Sequence, residues 1–243
     1  MTRSTQRLKP FFTFYGGKWR AAPHYPPPQH ATIIEPFAGS AGYSMRYSDR
    51  NVVLVEKDPL IAATWRYLLR VTPKEVLSLP DIRNDQTVDD LDVCEEARLL
   101  IGWWCNKGSS APCKRPSSWM RSGILPKSFW GHAIRERIAH QVDVIRHWKL
   151  IEGDHTQAPN IKATWFIDPP YQQAGKHYRF GCKQIDYNQL ARWCRTRPGQ
   201  IIVCENVGAS WLPFRHWRDI AANQSKHGGK ISKEAIWTWR RDE

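Results

Sequence analysis

The chain has no Cys-x-x-Cys pair and no cysteine with a histidine partner at zinc-finger spacing. Its six cysteines, Cys94, Cys105, Cys113, Cys182, Cys194 and Cys204, are therefore expected to be reduced thiols, and no metal is expected. No apolar run reaches the length of a membrane span, and Met1-Thr2-Arg3-Ser4 leads into polar residues rather than a signal-peptide core. A cytoplasmic protein without a membrane partner is the expectation. Internal repeats and low-complexity tracts are missing too, apart from the short linker Pro26-Pro27-Pro28. Acid is in short supply: 23 Asp and Glu stand against 36 Lys and Arg, a formal net charge of +13. Such a surface draws a polyanion, and nucleic acid is the commonest one for a soluble protein. At 243 residues the chain can bury a core without staples, as one large α/β domain with an insertion or as two small domains.

What is present is an alternation of strand and helix signals. Ala31 to Glu35 reads as a short apolar strand. It ends in Pro36-Phe37-Ala38-Gly39-Ser40-Ala41-Gly42, a loop whose glycines let the backbone approach a ligand before a helix begins. Asn51 to Glu56 reads as a second strand, ending in Glu56-Lys57-Asp58-Pro59, with Pro59 suited to the first turn of a helix carrying Leu60, Ala63, Trp65 and Leu68. An acid at the tip of such a strand, here Glu56, commonly binds ribose hydroxyls. The rhythm resumes with strands at Lys149 to Glu152, Ala163 to Ile167 and Ile201 to Cys204, a helix near Tyr187 to Cys194, and late strands around Ile220 and Ile236.

Directly after the apolar stretch 163–167 stands Asp168-Pro169-Pro170-Tyr171. The carboxyl end of a buried strand is where an α/β sheet does its chemistry. Two successive prolines fix φ and carry no N–H, so the carbonyls beside them are rigid acceptors. The corner suits a planar amine: the Asp168 carboxylate and the Pro169 carbonyl can accept its two hydrogens while Tyr171 stacks on the heterocycle that bears it.

Between Val71 and about Trp148 the alternation stops. Glu95 to Trp104 and Ala133 to Trp148 carry apolar residues at helical intervals, among them Ile134, Ile138, Val142 and Ile145, with Arg135, Arg137 and Arg146 pointing elsewhere. The stretch between them mixes Asn106, Lys107, Arg115 and Arg121 with serines and Trp119. Those are phosphate-contacting and base-edge-contacting groups, and Arg135 and Arg137 offer a second basic face.

Taken in order, these motifs resemble the Dam-like DNA adenine-N6 methyltransferases, including small phage-encoded members. Phe14-Tyr15-Gly16-Gly17-Lys18 is similar to that family's N-terminal signature, and Glu35 to Gly42 to its cofactor loop. Val55-Glu56-Lys57-Asp58-Pro59 is similar to the end of its second strand, Gly153-Asp154-His155 to its short acidic motif, and Asp168-Pro169-Pro170-Tyr171 to its catalytic tetrapeptide. The resemblance implies a Rossmann-like methyltransferase sheet with helices on both faces and a mostly helical inserted target-recognition domain. The catalytic domain would span 1–70 and 149–243, and the insertion 71–148. It also implies S-adenosylmethionine as cofactor. Phe14, Tyr15 and Lys18 would close over it, Phe37, Ala38, Gly39 and Ser40 would contact its methionine end, and Glu56 with Asp58 would hold the ribose side. Asp154 and His155 would border its adenine, and Asp168 would face the reacting methyl. Double-stranded DNA is the implied partner, and a homodimer is compatible with the family. The family would act inside a bacterial host cell. Two other readings stand beside it: methylation of cytosine N4, which is the same amine chemistry, and a non-catalytic DNA-binding protein that keeps the fold.

Overall fold

A computed structural model describes residues 7–221 and 231–241. Its strands are β1 (Thr32–Glu35), β2 (Asn51–Glu56), β3 (Lys149–Glu152), β4 (Ala163–Ile167), β5 (Gly199–Asn206), β6 (Arg215–Ala221) and β7 (Ile231–Arg241). They form one seven-stranded sheet in the order β3-β2-β1-β4-β5-β7-β6. The first five run parallel, and β7 enters antiparallel between β5 and β6. The helices are α1 (Pro59–Arg70), α2 (Pro73–Ser78), α3 (Glu95–Trp104), α4 (Ser118–Arg121), α5 (His132–Ala139) and α6 (Tyr187–Arg195). This is an open, mostly parallel Rossmann-like sheet with helices on both faces, the α/β fold class that the motifs implied.

Strand alternation divides the core in two. Ile33, Leu54, Phe166 and Ile202 point into one cluster, which α1, α3 and α5 cover; Ile34, Val55, Trp165 and Ile201 point into the other, which α6 covers through Leu190, Ala191 and Cys194. All five residues of β4 are buried, which is why that segment reads as a continuous apolar run rather than an alternation. β1 and β4 are neighbours, so the strand order reverses between them, and ligands in open α/β sheets settle at such a switch point.

Residues 71–148 share a core with the sheet. Leu100, Trp103, Ile134 and Ile138 pack in the same cluster as Ile33 and Phe166, joined there by Leu8, Phe11 and Phe12 of the N-terminal arm. The helix expected over 133–148 is broken. After α5 the side-chain amide of Gln141 pairs with both the N–H and the carbonyl of Lys9, and the chain continues only as a 3-10 turn, Val142–Ile145. The periodicity survives the break, because Ile134, Ile138, Val142 and Ile145 are all buried. The helix expected after the glycine loop is likewise only a 3-10 turn, Ser44–Tyr47. Here the Glu35 carboxylate accepts the Ser44 N–H, and Tyr43 stacks on Phe166 at 4.3 Å instead of extending a helix face.

Candidate active site

The carboxyl ends of β1, β2 and β4 and the N-terminal arm enclose one cavity of about 400 Å³, a size suited to a cofactor. Every residue assigned above to the cofactor lines it, from Phe14 in the arm to Asp168 at the end of β4, and so does Pro170. Its charge is unlike that of the chain. Glu35, Glu56, Asp58, Asp154, Asp168 and Asp186 line it against Lys18, Lys57 and Arg179, so an acidic pocket sits inside a strongly basic protein. A cationic or amine-bearing ligand fits that lining.

Glu56 is the organising acid. Its Oε2 accepts the Gly39 N–H at 2.8 Å and its Oε1 the Asp58 N–H at 2.8 Å, tying the loop after β1 to the tip of β2. Burial pushes its pKa up to about 7, against those two backbone donors, which lower it. Asp58 caps α1, its Oδ1 accepting the Leu60 N–H at 2.9 Å, with the guanidinium of Arg179 3.9 Å away. Asp154 caps the next turn and pairs with Lys57 at 3.1 Å, while His155 lies 5.1 Å from Phe37 in a stacked pair.

The glycines of the loop make room chiefly for the chain itself. Gly39 has φ +46°, and a Cβ there would meet the Phe14 ring at 3.0 Å; one on Gly42 would meet the Trp19 nitrogen at 2.5 Å. The arm therefore lies across the loop, and its aromatic residues reach the cavity by that route. The arm is held from the other side by the insertion: Thr13 Oγ1 donates to the Trp103 and Asn106 carbonyls, and the Tyr15 N–H donates to the Ser109 carbonyl at 3.0 Å.

At the tetrapeptide, Lys18 Nζ stands 2.9 Å from Asp168 Oδ1 and 4.7 Å from the centre of the Tyr171 ring. Burial pushes the Asp168 carboxyl above the ordinary range, and Lys18 pulls it back. Burial alone would lower the Lys18 pKa; the carboxylates of Asp168 and Glu234 more than offset that and raise it. The ammonium thus favours the charged form of the carboxyl, against a burial that raises its pKa overall. The carbonyl of Pro170 accepts from the Tyr187 hydroxyl, which anchors the corner to α6. Tyr171 packs beside the cavity rather than in its lining.

The six cations and amides expected to face DNA divide. Arg115 and Arg121 are exposed. Asn106 and Lys107 are half-buried at the base of the loop, and the Lys107 ammonium lies 5.0 Å from the Trp119 ring centre and 5.3 Å from that of Phe129. Arg135 is buried and ion-paired with Asp81, and Arg137 lies over the Trp104 ring at 4.7 Å. Both turn inward because α5 packs against α2 and the arm, so they belong to the core side of the insertion.

Sequence reasoning passed over Tyr178, Arg179, Phe180 and Ile185, which form a wall of the cavity. Tyr178 Oη donates to the Tyr15 carbonyl at 3.2 Å and its ring lies 5.8 Å from that of Phe14, so this segment clasps the arm. The aromatic-basic triplet 178–180, which begins seven residues past Tyr171, was the available signal. It also passed over Glu205 at the end of β5, fully buried, which accepts from the Gln172 N–H at 3.0 Å and Trp211 Nε1 at 2.9 Å.

One pH effect follows. Burial raises Glu35 to about 8 and Glu56 to about 7, so each binds its proton more tightly in the folded chain than in the unfolded one. Their contribution to stability is full below the ordinary glutamate value and is lost as pH rises through about 7 and 8. The ligand-free protein is expected to melt several degrees lower at pH 8.5 than at pH 6.5, since 1 kcal/mol is worth about 2–4 °C in a chain of this size. Calorimetric scans across that range check it; a flat or rising melting temperature contradicts it.

No protein-family model matches the chain, and no curated protein matches it. Among solved structures, similarity extends to an rRNA methyltransferase, AviRa from Streptomyces viridochromogenes, at 15% identity over 91% of this chain and 80% of that one, with a TM-score of 0.37. A conserved hypothetical protein from Streptococcus pyogenes is similar at 11% identity over 84% of each chain, with a TM-score of 0.34. Likeness of that degree says nothing of target or chemistry, and the fold assignment rests on the sheet itself.

Proposed function

We propose that this chain transfers the methyl group of S-adenosylmethionine to N6 of an adenine in double-stranded DNA. The observation that carries the reading is the corner Asp168-Pro169-Pro170-Tyr171 at the carboxyl end of β4, set against an acidic cavity with a buried glutamate at the tip of β2. The lining fits the cofactor: Glu56 would hold its ribose hydroxyls, Phe37 to Ser40 its methionine end, and Asp154 its adenine edge. When bound, S-adenosylmethionine supplies an electrophilic methyl on a sulfonium, and the surplus of carboxylates suits that cation.

The amine of adenine is a poor nucleophile because its lone pair is delocalised into the ring. Hydrogen bonds from its two hydrogens to Asp168 and the Pro169 carbonyl favour a tetrahedral nitrogen and localise the pair toward the methyl. Lys18 favours the charged form of Asp168, partly offsetting the burial that raises its pKa. The base is inaccessible inside a duplex, so it is expected to flip out and stack on Tyr171.

The tip of the insertion supports a duplex partner. Trp119, Ile124 and Leu125 are exposed there, Ile124 at 73%, beside exposed Arg115, Arg121 and Lys127. Apolar side chains flanked by cations are the groups that wedge base steps and grip phosphates. Replacing Arg115 and Arg121 by alanine is expected to weaken binding to all sequences alike and to lower the salt slope by about one unit each. Salt titrations on matched and scrambled duplexes check this; unchanged affinity would place recognition elsewhere.

The reading itself is tested by mass spectrometry of nucleosides from cells expressing the chain. N6-methyladenine in the DNA is expected, and N4-methylcytosine alone, or an unmodified DNA pool, would overturn it.

A further inference from the structure

The Tyr171 hydroxyl is held by an acid that the motifs do not include and that does not line the cavity. Glu234, on β7, is 7% exposed and accepts the Tyr171 hydroxyl on its Oε2. Its other oxygen accepts from Ser232 Oγ at 2.8 Å, and the same hydroxyl lies 3.3 Å from Asn206 Oδ1 on β5. Glu234 stands in register opposite Asn206, so its placement is fixed by the ladder between β5 and β7 and by a side-chain bond. A phenol that is partly buried between this carboxylate and the Lys18 ammonium has its ring plane set by two charges. The hydroxyl oxygen lies on the χ2 axis, so its position alone does not fix the ring; the preference of a phenolic O–H for the ring plane, with an ammonium over one face, does.

We propose that Glu234 is the positioning residue of the catalytic corner, acting through the Tyr171 hydroxyl to hold the ring at the angle on which a flipped base stacks. This deepens the methyltransferase reading and rests on it. Glu234 touches neither cofactor nor base. It selects one orientation of the ring, so that the amine reaches Asp168 without a search. Misplacement of about an ångström at a reacting group is worth about a hundredfold in rate. The bond joins the corner after β4 to β7, which also explains why an antiparallel strand far along the chain carries a buried acid facing the tetrapeptide.

The test is a double-mutant cycle between Tyr171→Phe and Glu234→Ala, read in single-turnover methylation with saturating cofactor and in the fluorescence of 2-aminopurine placed at the target position. Each single variant is expected to slow transfer by about tenfold to a hundredfold and to change 2-aminopurine quenching, while the cofactor affinity measured by calorimetry stays within threefold. The double variant is expected to be no slower than the worse single, because both remove one bond. Glu234→Gln, whose amide oxygen still accepts the hydroxyl, is expected to restore rate and quenching. Additive losses, or a Glu234→Ala variant that keeps parental rate and fluorescence, overturn the proposal. A parent chain that binds cofactor but transfers no methyl overturns the underlying reading, which a loss confined to the variants does not.

Discussion

Asp168→Ala is expected to reduce methyl transfer by at least a hundredfold while cofactor affinity stays within about tenfold. The carboxylate serves chiefly the target amine, and one lost preorganised acceptor in a water-poor site is worth about 3 kcal/mol. The structure adds a second consequence. Without Asp168 the Lys18 ammonium, 2.9 Å from it, loses its ion-pair partner and keeps its bond to the Gly16 carbonyl at 3.0 Å, the face of Tyr171 and the charge of Glu234. Breaking the ion pair of a largely buried cation is costly, so this variant is expected to melt lower than the parent, and Asp168→Asn to melt between the two. Calorimetry for binding, label transfer for rate and thermal melting separate the three effects. Transfer near the parental rate would remove Asp168 from the chemistry.

Glu56→Ala is expected to weaken S-adenosylmethionine binding by about a hundredfold or more. Two hydroxyl bonds to one carboxylate carry about 1.5–3 kcal/mol each, and the same side chain ties Gly39 to Asp58. Removing it loosens the loop after β1 and the cap of α1 together. Glu56→Gln keeps an acceptor for one of those amides and is expected to fall between parent and Ala variant. Affinity is the direct readout; a Glu56→Ala chain that binds within threefold of the parent would take the ribose away from this residue.

Much of this was legible in the chain. β1, β2 and β4 are spelled by apolar runs that end in or run into an acid, α1 opens on Asp58-Pro59, and local chemistry fixes such boundaries within a residue or so. The acids of the pocket other than Asp186, which caps α6, fall at or just past strand tips, where the architecture brings them together whatever joins the strands. The basic helix was less legible. Arg135 and Arg137 look like surface cations in a 3.6-residue pattern, and only the packing of α5 on α2 and the arm turns them toward Asp81 and Trp104. The break at Gln141 depends on Lys9, 132 residues earlier, a pairing that no local periodicity carries. Glu234 was invisible for the same reason: its partner lies 63 residues away, at the corner after β4, with β5 between that strand and β7. The part played by Gly39 and Gly42 in seating the arm also needed three dimensions, because a glycine-rich loop reads alike whether a ligand or the chain's own backbone fills the space.

The most direct test gives purified protein deuterated-methyl S-adenosylmethionine and duplex DNA of mixed sequence, then digests the product to nucleosides for mass spectrometry, with the Asp168→Ala chain alongside. The expected result is a deuterated methyl on adenine N6 from the parent chain and its absence with the variant. Label on cytosine, label in added RNA instead of DNA, or equal labelling by both chains would contradict the account.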